Sequence, residues 1–161
     1  MTVSKHGLEL DGADQGWESR IYRREAERPG EQTYPVLHAC TLPLPADRGD
    51  FGSGIVDRLG REDVFVSLIE FGPEVADQGL FAPQGMPQLR PSQFSANRMA
   101  RSIPGVSAAQ HFLSVGGRAF CLFVVLGAHS RRMVLVPRAE RLVRTVRITD
   151  RRTMQRMGAM R

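Results

Sequence analysis

Histidine and cysteine side chains fall on predicted strands, where they could serve as metal ligands or as a nucleophile and its base. His38 and Cys40 are two residues apart and therefore point to the same face of a strand. His111 and Cys121 lie on two other predicted strands. Zinc sites and Cys–His nucleophiles use such residues. Only one H-x-C pair is present, and the other two residues have apolar strand neighbours. We therefore expect four buried core residues, with no metal and no cofactor.

Acidic side chains are a second group that could do chemistry, as general acids or bases. Five of them lie between positions 57 and 74: Asp57, Glu62, Asp63, Glu70 and Glu74. No spacing among them selects a catalytic pair, so we expect a solvated acidic edge and assign no catalytic residue. One enzymatic alternative stays open, a small enzyme with its site near His38, Cys40 and Glu70.

A glycine motif, Gly52-Ser53-Gly54, precedes a predicted short helix, and glycines at a helix N-terminus can hold phosphate. The motif lacks the Gly-Lys-Ser/Thr end of a phosphate-binding loop and the full dinucleotide-binding glycine pattern. We therefore interpret it as a flexible helix entry with Ser53 as the cap.

Arginines supply a third possible chemistry, the binding of anions. The formal net charge is +5; residues 129–161 contribute +8 and residues 1–128 contribute −3. Codon bias in a GC-rich genome explains arginine on a solvated surface, and a patch for an anionic partner is the alternative. The anion-binding candidates are Arg138, Arg141, Arg144, Arg151 and Arg152. No aromatic residue follows Phe123, so a nucleic acid would be held there through its phosphates alone.

Alternation and turn residues predict an antiparallel sheet that positions these groups. The predicted strands are 17–24, 36–42, 64–71, 108–115 and 118–126. The last strand is apolar on both faces and is therefore expected in the middle of the sheet. Helices are predicted over 50–60 and from a start between Met133 and Pro137. The second carries an apolar stripe of Val136, Ala139, Leu142, Val143 and Val146. The predicted fold class is α+β: an antiparallel β-sheet with a short helix and a C-terminal helix packed on it.

Domain organisation follows from the same patterns. We predict a flexible N-terminal lead-in over 1–16, a single α+β domain over 17–148 and a basic C-terminal tail over 149–161. The tail contains Met154, Met157 and Met160 among arginines, and methionine is suited to adaptable contacts. We expect the tail to be mobile and to order only on a partner; a frayed end without a role is the alternative.

A long segment rich in proline and glycine, residues 72–93, separates the third predicted strand from the hairpin. Loops of this length are uncommon unless they are functional or mobile. The segment carries apolar side chains that are candidates for partner contact, Phe81, Met86 and Leu89. The alternative is that these side chains cover the sheet.

Three segments carry a resemblance to known proteins. They read DFGSGIVDRLGREDVFVSLIEFG, GLFAPQGMPQLRPSQF, and GGRAFCLFVVLG with the VPRAERLVRTVRI end. Across residues 17–148 the chain resembles a family of small uncharacterised proteins from GC-rich bacteria. Its element order is similar to that of PsbP-like α/β/α sandwiches, which implies an accessory module that binds a ligand or a protein. The resemblance transfers no functional residue.

The function we predict is a non-catalytic accessory or binding module that acts through protein partners, either another protein or a second copy. The alternatives are the small enzyme described above and a binder of anionic polymers, including nucleic acid, through the C-terminal arginines. No apolar segment follows Lys5 near the N-terminus, and no apolar run approaches the ~20 residues of a membrane span. We therefore expect a cytoplasmic protein with two reduced thiols.

Overall fold

The structure is a computed structural model that describes residues 2–11, 16–46, 49–52, 54–99 and 101–159. Its centre is a five-stranded antiparallel sheet. The strands are β3 (Glu18–Arg23), β4 (Pro35–Cys40), β5 (Val64–Phe71), β6 (Ser107–Val115) and β7 (Arg118–Leu126). Their order in the sheet is β3-β4-β5-β7-β6. These bounds confirm the predicted strands to within two residues at each end. The α+β fold class is confirmed as well.

The hairpin of β6 and β7 turns at Gly116 and Gly117, both in the left-handed region at φ +56° and +79°. Every residue of β7 is buried. This strand lies between β5 and β6 and is covered on both faces, as its unbroken apolar run predicts.

The first helix, α1 (Arg132–Val143), packs on one face of the sheet, which we call the helix face. The helix face presents the side chains of Leu37, Val66, Leu68, Leu122 and Val124, all in one core cluster with the helix. The helix buries Leu135, Val136, Ala139, Leu142 and Val143. The predicted apolar stripe is therefore the contact surface, with Val146 partly buried beside it.

The N-terminal segment is a second, three-stranded sheet, and the prediction of a flexible lead-in over 1–16 is wrong for its described residues. Strands β1 (Thr2–Lys5) and β2 (Leu8–Asp11) form a hairpin, and β2 also pairs with β8 (Arg147–Ile148). Leu8 and Leu10 are completely buried in the helix-face core. Strands of four residues carry too little alternation to identify from sequence.

The helix predicted over 50–60 is absent from the described residues of that range, which include only a 3₁₀ turn over Val56–Arg58. Gly52 and Gly54 have φ of +82° and +77°, and this left-handed backbone interrupts an α-helix. The predicted cap, Ser53, lies outside the described residues. Ile55 is nonetheless buried, so the segment still covers the sheet.

The C-terminal segment also departs from its prediction, since a helix, α2 (Arg151–Ala159), occupies most of the predicted mobile tail. Asp150 caps it by accepting a hydrogen bond from the Thr153 backbone N–H at 2.7 Å. The Arg151 N–H donates to the Gly116 carbonyl at 2.8 Å, which docks the helix on the β6–β7 turn. Met160 lies outside the described residues.

The long segment after β5 follows the edge of β6 through short 3₁₀ turns. The Gly85 N–H donates to the Ser114 carbonyl at 2.8 Å, and the Ser95 N–H donates to the Ala108 carbonyl at 2.9 Å. These bonds satisfy backbone groups on an edge strand that would otherwise be open. Among the described residues, no helix has the length and apolar character needed to cross a membrane.

The N-terminal hairpin is expected to be part of the core. Leu10→Ala should lower the free energy of unfolding by about 2–5 kcal/mol, because it leaves a cavity in a fully buried cluster. The measurement is urea denaturation followed by circular dichroism. Leu80→Ala is the matched control, since that side chain is 68% exposed and should change stability by less than about 0.5 kcal/mol. Equal small effects for both variants would contradict the burial of the hairpin.

Candidate functional site

The second face of the sheet, which we call the loop face, carries polar side chains on adjacent strands. His38 on β4 is opposite Ser67 on β5, and both project to this face. The Asp50 carbonyl accepts hydrogen bonds from His38 Nε2 at 3.0 Å and from Ser67 Oγ at 2.5 Å. These two side chains therefore hold the loop at residues 49–52 on the sheet.

The Asp50 side chain completes this anchor. Its carboxylate accepts a hydrogen bond from the Tyr22 hydroxyl at 3.2 Å and forms an ion pair with Arg24 at 3.3 Å. Burial, followed by the charge of Asp50, raises the pKa of Tyr22. Burial lowers the pKa of His38 to about 4, so its imidazole is neutral at physiological pH. The predicted core role of His38 is thus that of a hydrogen-bonded loop anchor.

A cleft of about 640 Å³ opens beside this anchor, between residues 50–52 and 54–57 on one side and residues 97–99 and 101–103 on the other. We call it the loop-face cleft. Phe123 and Gln110 of the sheet line it, and Phe51 packs edge-to-face on Phe123 with ring centroids 5.3 Å apart. Its further lining includes apolar side chains, Val56, Met99 and Ile103. Phe51 is 49% exposed, so about half of its side chain faces solvent at the cleft.

The rim of the loop-face cleft is charged. Arg101 forms an ion pair with Asp57 across the two segments. Arg98 is exposed and has no ion pair among the described residues. The cleft therefore joins an apolar floor to an available cation.

Neither cysteine offers an accessible thiol. Cys40 and Cys121 are free and fully buried, and β5 lies between their strands. Burial raises the pKa of both thiols, which keeps them protonated and weakly nucleophilic. His111 projects to the helix face and is only partly buried, so the prediction of a buried core residue is wrong for it. Cys121 projects to the loop face. No group of three metal-ligating side chains occurs in the part of the chain that the structure describes.

Glu70 lies on the helix face, opposite Phe120, so the sheet separates it from His38 and Cys40. The site of the enzymatic alternative is therefore not assembled. Glu70 instead forms a buried bidentate ion pair with Arg118, at 2.9 Å from Nε and 2.7 Å from Nη2. Arg118 also donates to three carbonyls, those of His6, Gly7 and Thr149, at 3.0–3.2 Å.

A smaller cleft of about 360 Å³ lies beside this ion pair, where β1–β2, β3 and α2 meet. We call it the junction cleft. The ionisable side chains that line it are His6, Arg23, Tyr34, Glu70, Arg118 and Arg151. Sequence reasoning missed this cleft because its walls come from distant segments, two of which had been predicted to lack regular structure.

The predicted anion-binding arginines have different surroundings. Arg138 lies over the Trp17 ring at 5.4 Å, and Arg144 pairs with Glu140 at 2.9 Å and donates to the Pro87 carbonyl. Arg141 is exposed on α1. Arg151 and Arg152 are exposed on α2, and Arg151 also lines the junction cleft. Anion binding by this set stays a prediction.

The predicted partner-contact residues cover the sheet. Phe81 and Leu89 are buried, and Met86 is partly buried against the same core as Leu89. Phe81 packs against Phe112 with ring centroids 5.4 Å apart. These positions agree with the alternative in which the segment covers the sheet. A role of these side chains in partner contact stays a prediction. They expose little surface to a partner.

The His38 anchor should make stability depend on pH. The unfolded imidazole has a pKa near 6.5, so between pH 6.5 and 4 the unfolded chain binds more protons than the folded one. The free energy of unfolding should therefore decrease as pH falls through this window, with a slope from this group approaching about 1.4 kcal/mol per pH unit. The measurement is urea denaturation of the wild type and of His38→Gln at pH 7 and at pH 4.5. Comparing the two proteins cancels the contribution of the carboxylates to the pH dependence, because that contribution is common to both. Identical pH dependence in both proteins would contradict this role.

Breaking the Arg118–Glu70 ion pair should lower the stability of the fold strongly. Arg118→Met leaves a buried carboxylate without its partner and should lower the free energy of unfolding by about 3–5 kcal/mol. The double variant Arg118→Met/Glu70→Leu should be less destabilised than Arg118→Met, because it removes the unpaired charge. Arg101→Ala, which removes an exposed pair with Asp57, is the control and should cost less than about 1 kcal/mol.

Comparisons with known proteins do not identify this chain. No protein-family model, no curated protein and no solved structure matches it. The resemblance to small proteins from GC-rich bacteria and the similarity to PsbP-like sandwiches therefore stay predictions. The function has to be inferred from the two clefts and the residues that build them.

Proposed function

We propose that this chain is a non-catalytic binding module that acts through a separate protein partner, whose apolar side chain enters the loop-face cleft. The observation that carries the proposal is the arrangement of Phe51 over Phe123, an aromatic pair at the mouth of a 640 Å³ cleft. An aromatic surface of this kind, beside a charged rim, is typical of a recognition site.

The engagement of the reactive side chains supports a binding role over a catalytic one. His38 and Ser67 both donate to one backbone carbonyl, that of Asp50. Cys40 and Cys121 are buried, with their pKa values raised by burial. His38 and Ser67 are thus occupied in holding the loop on the sheet, and the two thiols are inaccessible and protonated.

Charge at the rim indicates the chemistry of the partner. Among the described residues of the rim, Arg98 is the cation without an ion pair, and Gln110 adds an amide within the cleft. A carboxylate beside an apolar side chain would pair with Arg98 while the apolar group displaces water from Phe51. We therefore expect the partner to place a short segment in the cleft, with a large apolar residue next to an acidic one.

Selection from a displayed library of random peptides tests this proposal. Enriched peptides should share an apolar residue adjacent to Asp or Glu. Phe51→Ala should weaken their binding about tenfold or more in fluorescence polarisation, because truncation of an aromatic anchor commonly costs more than 1 kcal/mol. Arg98→Ala should weaken the binding of the acidic peptides. It should not change the binding of peptides in which the acidic residue is replaced by its amide.

Two matched controls separate the cleft from general surface effects. Leu80→Ala removes an exposed apolar side chain from another loop, and Arg58→Ala removes an exposed cation outside the cleft lining. Both variants should bind the selected peptides as the wild type does. Peptides without a common pattern, or equal losses in Phe51→Ala and Leu80→Ala, would contradict the proposal. A dimer of this chain that is lost in Phe51→Ala would show that the occupant is a second copy instead.

A further inference from the structure

The junction cleft has more positive than negative groups on its walls. Arg23 at the end of β3 and Arg151 at the start of α2 both line it and are exposed. Neither arginine forms an ion pair within the described residues. The acidic lining residue, Glu70, is neutralised by its bidentate pair with Arg118. Two arginines therefore face the cleft without an ion pair among the described residues, while the charges of Glu74 and Glu70 also act on Tyr34 in its lining.

The surroundings of His6 indicate the same excess of positive charge. Burial lowers the pKa of His6, and the charges of Arg23, Lys5 and Arg118 lower it further. No acidic residue contributes to this shift. An anion in the cleft would reverse these repulsions and favour the protonated imidazole.

The turn between β1 and β2 places His6 at the junction cleft. His6 and Gly7 form the two-residue turn between β1 and β2, with φ of +53° and +73°. Such turns favour Asn, Asp or Gly at both positions. The turn geometry itself accounts for the positive φ of His6, and it holds this residue at the cleft.

Apolar side chains also line the junction cleft. Tyr34, Pro35, Pro73 and Met154 line it together with the cations. Tyr34 is partly exposed and contributes both an aromatic ring and a hydroxyl donor. The volume of about 360 Å³ leaves room for an organic group beside a single oxyanion.

We propose that the junction cleft binds a small phosphate monoester, with the phosphate between Arg23 and Arg151 and the organic group against Tyr34. A tetrahedral dianion directs oxygens toward cations on both sides of the cleft, whereas a planar carboxylate is matched by one guanidinium. This site shares no lining residue with the loop-face cleft, so it adds a second ligand to the proposed binding module. The bound phosphate would join β3 to α2 and to the β1–β2 turn.

Titration calorimetry with phenyl phosphate, at constant ionic strength, tests the proposal. Phenyl phosphate should bind saturably with one site, more tightly than inorganic phosphate and than the dicarboxylate phthalate. Arg23→Ala and Arg151→Ala should each weaken binding about tenfold or more, as expected for loss of a charge-assisted hydrogen bond. Arg28→Ala and Arg156→Ala remove the same charge outside the cleft lining and should change the dissociation constant less than twofold.

A second variant tests the orientation of the ligand. Tyr34→Ala should weaken the binding of phenyl phosphate and leave the binding of inorganic phosphate unchanged. Thermal melts establish that each variant is folded. Absence of saturable binding, equal losses in Arg156→Ala and Arg151→Ala, or tighter binding of phthalate would overturn the proposal. None of these outcomes bears on peptide binding at Phe51, so the two proposals fail independently.

Discussion

The buried guanidinium of Arg118 is the constraint on which the arrangement of this fold depends. Its N–H groups donate to both carboxylate oxygens of Glu70 and to the carbonyls of His6, Gly7 and Thr149. One side chain thereby connects the central sheet to the N-terminal hairpin and to the segment that leads into α2. A buried ion pair is favourable only when such further hydrogen bonds satisfy the remaining donors. Gly7 is part of the same constraint, since a Cβ there would lie 2.7 Å from Arg118 Nη1.

The two faces of the sheet have different roles because they are covered differently. The helix face is closed by α1 and by β2, which bury a continuous apolar cluster. The loop face is covered by irregular segments anchored at Asp50, and these leave the cleft beside Phe51 open. The larger apolar cluster thus lies on the helix face, and the loop face carries smaller buried clusters beside its open cleft. The junction cleft forms at a third place, where the small sheet and α2 meet the edge of β3.

Side-chain periodicity predicted the central sheet because each of its strands is long enough to show a pattern. The unbroken apolar run of β7 predicted a central, doubly covered strand, and the Gly116-Gly117 turn predicted its hairpin. The same reasoning missed β1 and β2, whose apolar signal consists chiefly of Leu8 and Leu10. It also predicted a helix over 50–60 from apolar spacing, although the backbone at Gly52 is left-handed.

What the sequence determined by itself is the α+β class, the bounds of the five central strands and the burial of His38, Cys40 and Cys121. Local alternation and turn chemistry are properties of contiguous residues, and they are therefore readable along the chain. Only the tertiary structure decided that Glu70 lies across the sheet from His38, and that Arg23 and Arg151 meet at one cleft. These pairings depend on strand order and on the docking of α2, which are set by contacts between residues far apart in sequence. No local pattern encodes such contacts, so both clefts emerge from the fold.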